Sequence, residues 1–269
     1  MKKNQPNNQF FNDLKKNYDL VVCFSPHLDD AVFSAGGMLA KLSKHMPVNV
    51  VNIFTNAGDA KSTLSAKQFL KQSHVRTPET LFKMRIDEDK QSLSLVNANI
   101  IDLHYTDALW RKKRRSLFPI RMAGRVLAEF VSLYPTYRYH VIKGRIHDED
   151  ADMVIELARR FRNIVPDPSR VLILAPIGVG DHVDHCIVRN ACRLAFGKNM
   201  YYWLDFPYFT RRGVSPDNTF MRHSDLSKHS FPVNVTEKSA MCERYLSQYD
   251  IVIPDKKVLI QSEQFFKET

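Results

Sequence analysis

A chain of 269 residues with 44% hydrophobic and 25% charged residues can bury a sizeable core, and its length suits a single α/β domain. That composition excludes a disordered or fibrous protein, and no apolar run is long enough to cross a membrane. The balance of 39 Lys and Arg against 29 Asp and Glu gives a formal net charge of +10, which leaves an anionic substrate, surface or nucleic acid open as a partner.

Residues 1–18 are polar and basic. They lack the apolar stretch and small-residue cleavage site of a signal peptide, and read as a polar arm. An apolar run at 18–25 predicts a buried strand, and the small and apolar residues of 31–45 predict a helix. A second strand is expected at 48–55, then a polar loop, a helix over 79–96 and a strand at 99–105. Residues 107–119 read as a loop containing the basic run Arg111 to Arg115, whose plainest reading is a solvated loop. A helix is predicted over 121–134 and another over 148–165, the latter opening on acidic residues and closing before Pro166. A strand at 170–176 leads through a loop into a helix ending near 196, and a further strand covers 200–207. The segment 205–230 is irregular and reads as a loop or lid. A short strand at 231–236 and a helix over 237–249, capped by Thr236, complete the pattern. The four cysteines, Cys23, Cys186, Cys192 and Cys242, have no metal or disulfide-framework spacing and fall in apolar patterns, as reduced core thiols of a cytoplasmic protein would.

Apolar strands alternating with helices predict an α/β fold: a Rossmann-like, doubly wound, mostly parallel sheet with helices on both faces, in one domain over 19–269. Such sheets bind ligands beyond the carboxyl ends of their strands. Two polar clusters fall there. Pro26-His27-Leu28-Asp29-Asp30 follows the first strand, and Gly180-Asp181-His182-Val183-Asp184-His185 follows the strand at 170–176. Either alone reads as a helix cap or a structural histidine. Together they form a set of imidazoles and carboxylates of the zinc-binding type, in which three protein ligands leave a position open for water. His27 and Asp30 can turn toward one point, with His182 or His185 as a third ligand. Asp29 can reach a water at that point as a general base.

In these two clusters the sequence resembles the PIG-L/LmbE-like family of zinc-dependent N-deacetylases, which act largely on N-acetylglucosaminyl compounds. The family's usual His-Pro-Asp-Asp-Glu stands here as His27-Leu28-Asp29-Asp30-Ala31, and its His-Pro-Asp-His as His182-Val183-Asp184-His185. The resemblance implies His27, Asp30 and His185 as ligands of Zn2+ (or of another divalent ion such as Fe2+). It implies Asp29 as the base, His182 as the group that stabilises the tetrahedral intermediate or protonates the amine, and Asp184 as the residue orienting His182. Weaker matches at Arg85 to Glu88, at Asp107 and at Lys238, Ser247 and Gln248 suggest Arg85 and Asp107 as substrate contacts. The implied substrate is a small N-acetylated amino sugar, with no nucleic acid partner and with a homo-oligomer possible. The rival readings are another metal-dependent amide or ester hydrolase and a basic nucleic-acid-binding protein. A nucleotide-binding Rossmann protein is disfavoured by the lack of GxGxxG and by the acidic pair where a pyrophosphate would sit.

Overall fold

A computed structural model of the chain describes residues 6–114, 118–124, 126–210, 218–253 and 262–269. Seven strands form one sheet: β1 (Leu20–Ser25), β2 (Val48–Asn56), β3 (Asn99–Thr106), β4 (Val171–Pro176), β5 (Tyr201–Trp203), β6 (Leu226–Pro232) and β7 (Ser262–Glu268). Their order is β3-β2-β1-β4-β5-β7-β6. The first five are parallel; β7 pairs antiparallel with β5 and β6. The expected fold class holds, extended by an antiparallel edge.

The helices are α1 (Pro6–Asn17), α2 (Asp30–Leu42), α3 (Leu64–Gln72), α4 (Pro78–Ser94), α5 (Phe118–Gly124), α6 (Asp148–Ile164), α7 (Val183–Phe196), α8 (Thr219–Arg222), α9 (Val235–Cys242) and α10 (Tyr249–Val252). The central strands are apolar at most buried positions because both sheet faces are covered; Ser25, Asn52 and Thr55 are the buried polar residues among them. Val22 and Phe24 of β1 enter the core shared with α3, α6 and α7, while Val21 and Cys23 enter the core shared with α1, α2 and α9. Strand side chains alternate faces, so one short run serves two cores.

The winding reverses between β1 and β4. From β1 the chain moves outward through β2 and β3, then returns to β4 on the other side. The carboxyl ends of β1 and β4 therefore flank the crevice at the topological switch point.

Several boundaries differ from expectation. Part of the presumed polar arm is α1, whose Phe11 and Leu14 are buried and whose Phe10 ring stacks on His229 at 4.6 Å. The polar loop before α4 contains α3, which buries only Ala66 and Leu70. The helix expected over 121–134 is interrupted: α5 ends at Gly124, and a 3-10 turn follows at Ala128–Phe130. The expected loop at 205–230 includes α8 and most of β6; residues 211–217 lie outside the described residues. Asn234, not Thr236, caps α9, its Oδ1 accepting from the Thr236 and Glu237 amides. Burial raises the Cys186 thiol to about 11 and the Cys242 thiol to about 12, and all four cysteines are free. No described helix is long and apolar enough to cross a membrane.

Candidate active site

The turn after β1 is tied by its own polar groups. Ser25 Oγ donates to the His27 carbonyl at 2.6 Å and accepts from the Ala31 amide at 3.0 Å. The Pro26 carbonyl accepts from the Phe54 amide and carries the β1–β2 ladder one residue past the strand. Asp30 opens α2, where the helix dipole favours a carboxylate. Its Oδ2 accepts from the His27 amide at 2.9 Å and lies 3.0 Å from His27 Nδ1.

The turn after β4 needs backbone that few residues adopt. Gly178 and Gly180 have φ of +83° and +90°, and a Cβ on Gly180 would lie 2.6 Å from Tyr208. The Asp205 carboxylate holds this turn through one oxygen, which accepts from the Gly178 and Val179 amides at 2.6 and 2.8 Å. Its other oxygen is 2.7 Å from His185 Nδ1. His182 caps α7, its Nδ1 accepting from the Asp184 amide at 3.3 Å. That acceptor role puts the ring proton on Nε2.

Among the described residues, two buried triads could hold a metal: His27, Asp30 and His185, and His27, His182 and Asp184, each with donors within 4.8 Å of one another. They use opposite sides of the His27 ring. In the second triad Asp184 already has partners, since it accepts from Arg111, from the Ala108 amide and from His27 Nε2. In the first, buried His185 Nε2 has no hydrogen-bond partner, although it stands 3.2 Å from Asp30 Oδ2. Two donors on one tetrahedral zinc, at bonds of ~2.0–2.1 Å, are roughly 3.3 Å apart. The spacings of 3.0 and 3.2 Å around Asp30 Oδ2 fit that figure, and the orphaned nitrogen is the lone pair such an ion would take up.

Residues 22–196 match the PIG-L family, described as GlcNAc-PI de-N-acetylase. The chain belongs to the PIG-L family. No match was found among curated proteins. Among solved structures, the zinc-inhibited form of teicoplanin deacetylase Orf2 superposes with a TM-score of 0.71 at 20% identity, over 93% of this chain and 98% of that one. N,N'-diacetylchitobiose deacetylase from Pyrococcus horikoshii gives a TM-score of 0.51 at 16% identity, over 100% and 95%. A 4-carboxy-2-hydroxymuconate hydratase from Pseudomonas putida gives 0.51 at 13%, over 93% and 95%. These superpositions establish the shared fold, and the hydratase shows that this fold hosts more than one reaction.

In this PIG-L chain a cavity of about 430 Å³ opens above the switch point. His27, Asp29, Asp30, Arg85, Asp107 and His182 all line it, so six of the eight sequence-derived site residues share one space. His185 and Asp184 lie beneath, 1% and 0% exposed. The electrostatics are dominated by acid. Burial disfavours a charged His27, but Asp30, Asp184 and Asp107 outweigh it and raise its pKa to about 10. Burial likewise opposes charge on His185, and Asp30 and Asp205 raise it well above the usual imidazole value. His182 is held well below that value by burial and by the neighbouring His27, and is a neutral ring. Burial raises Asp29, an effect that Arg85 Nη2 at 2.9 Å partly offsets. Such surplus negative charge suits a divalent cation.

Some assignments change. The Asp184 side chain faces Arg111, Ala108 and His27; its link to His182 runs through its backbone amide. Asp107 caps a 3-10 turn, accepting from the Leu109 amide at 2.8 Å, and also faces the cavity. Lys238 is a buried partner of Glu263 at 2.7 Å, and Ser247 bonds Glu88, while Gln248 lines the cavity. Sequence reasoning missed Asp205, whose signal was a lone carboxylate in an otherwise apolar run just past a strand. It also missed the wall supplied by α3, where Ser65, Gln68, Phe69 and Gln72 recur at helical spacing on the cavity side.

Proposed function

We propose that the chain is a metal-dependent N-deacetylase that hydrolyses the acetamido group of an N-acetylglucosaminyl-type compound to a free amine and acetate. The observation that carries this reading is the unpartnered His185 Nε2 converging with Asp30 and His27, with Asp29 and His182 on the same cavity. His27, Asp30 and His185 would hold the ion, Zn2+ or another divalent metal such as Fe2+. When bound, it supplies Lewis acidity to the amide carbonyl and to the attacking water.

The chain's own residues do the rest. Asp29 takes the proton of the water as it attacks, and Arg85 holds the Asp29 carboxylate in place at 2.9 Å. His182 is a neutral ring with its proton on Nε2, which donates to the developing oxyanion. The departing nitrogen receives its proton from Asp29 or His182. Arg85 and Asp107 line the cavity wall, where sugar hydroxyls would meet them. The deacetylases among the structural neighbours support the same reading.

The test pairs metal analysis of the purified protein with acetate release from a panel of N-acetylglucosaminyl compounds. Asp29→Asn should keep the metal and lose about 10²–10⁴-fold in kcat. Full turnover in that variant removes Asp29 as the base. Release of a carboxylic acid from esters but from no N-acetyl sugar replaces this reading with an esterase.

A further inference from the structure

The basic run has the composition of a solvated loop, but its first residue is buried. Arg111 is 5% exposed, its guanidinium 4.7 Å from the Phe54 ring centroid and 2.9 Å from the Thr106 carbonyl. One terminal nitrogen donates to Asp150 at 2.6 Å and the other to Asp184 Oδ1 at 2.5 Å. Asp150 is held in turn by Tyr134 Oη at 2.7 Å. Lys112 behaves differently, pairing with the exposed Asp59.

We infer that Arg111 is a positioning residue for the metal ligand His27, acting through Asp184. With Oδ1 engaged by Arg111, the Asp184 carboxylate has one orientation. Its Oδ2 then accepts from the Ala108 amide at 3.0 Å and faces His27 Nε2 at 3.2 Å. A ring whose Nε2–H is committed to a carboxylate keeps that proton there and turns its Nδ1 lone pair to the opposite side. That side is where Asp30 Oδ2 stands, 3.0 Å away. Histidine ligands commonly donate their second nitrogen to a carboxylate, which fixes ring and tautomer and raises ligand basicity. The planar fork of Arg111 spans two carboxylates and a carbonyl at once, a task that a lysine ammonium cannot match in geometry.

The inference rests on the reading of His27 as a ligand, and the experiment separates the two. The zinc dissociation constant of the full-length protein is measured by chelator competition for wild type, Arg111→Lys and Asp184→Asn. The His27 Nε2 proton is followed by nitrogen-15 NMR in the zinc-loaded protein, and thermal unfolding of the metal-free forms reports folding. Arg111→Lys keeps the buried positive charge and should still fold. Its zinc affinity should fall about 10–100-fold, with loss or faster exchange of the His27 Nε2 proton. A purely structural Arg111 would lower the unfolding temperature and leave zinc affinity at the wild-type value, and that result overturns the inference. If Arg111→Lys does not fold, Asp184→Asn decides alone: an unchanged zinc affinity overturns the inference, and a fall of the same order supports it. Wild-type protein that takes up no divalent ion overturns the metal reading itself, and the inference with it.

Discussion

His185 has two ring nitrogens with opposite tasks, and Asp205 decides which does which. One Asp205 oxygen is occupied by the Gly178 and Val179 amides, so the other is left to accept from His185 Nδ1. When a metal ion displaces the second ring proton, the one on Nδ1 stays with Asp205 and Nε2 offers its lone pair. In Asp205→Asn the two backbone amides still require the oxygen, and the new NH2 group is forced toward Nδ1. That reverses the tautomer and puts the proton on the nitrogen facing Asp30. Zinc affinity should drop about 10–100-fold in chelator competition, with a smaller change in metal-free stability. An unchanged dissociation constant would show that Asp205 only braces the turn.

The same element that carries Asp30 shows how helix packing supports the site. A Cβ on Gly37 of α2 would stand 2.6 Å from Val233 Cγ1, so this glycine permits the close approach of the β6–α9 connection. The Glu263 carboxylate of β7 reaches the Gly37 and Met38 amides at 2.8 and 2.9 Å, and Lys238 of α9 neutralises it at 2.7 Å. Lys238 and Glu263 are both 0% exposed. Lys238→Met removes the partner and leaves a buried carboxylate, at a cost of about 3–5 kcal/mol in denaturant unfolding. Lys238→Met combined with Glu263→Gln should recover much of that loss; a double variant as unstable as the single one would refute the ion-pair account. None of this was legible from periodicity. The central strands were legible because burial on both faces makes them continuous apolar blocks. Strand β7 was not recognised, and β6 was expected only from residue 231, because its edge position leaves it polar and half-exposed. Helices α1 and α3 bury one narrow stripe each, which their polar composition conceals. The residues flanking the crevice were readable because His and Asp at strand ends have no packing explanation. Asp205 and Arg111 were not, because their roles depend on neighbours far away in the chain.

Across the whole molecule, buried acid shapes stability as well as chemistry. Asp89 of α4 links the sheet to the helical layer, accepting from Asn52 of β2 at 2.8 Å and from Tyr245 after α9 at 2.6 Å. Burial raises its pKa to about 7, against the smaller opposing effect of those two hydrogen bonds. The native state therefore binds a proton that the unfolded chain has already released, between the ordinary carboxylate range and about pH 7. Where the native state binds more protons than the unfolded chain, stability falls as pH rises, so this group's contribution is fully present below about pH 4 and lost as pH climbs through about 7. Asp30 and Asp184 are shifted the other way, and stability linked to them is lost only in stronger acid, so the sum over all groups conceals the effect of one. Comparison with Asp89→Asn isolates it, because the amide keeps the shape and does not titrate. Unfolding free energies measured at about pH 5 and about pH 8 should show the variant gaining on wild type by a few kcal/mol at the higher pH. An identical difference at both values would mean that Asp89 enters the native state ionised, and that the linkage between β2, α4 and α9 is made by a carboxylate and not by its acid.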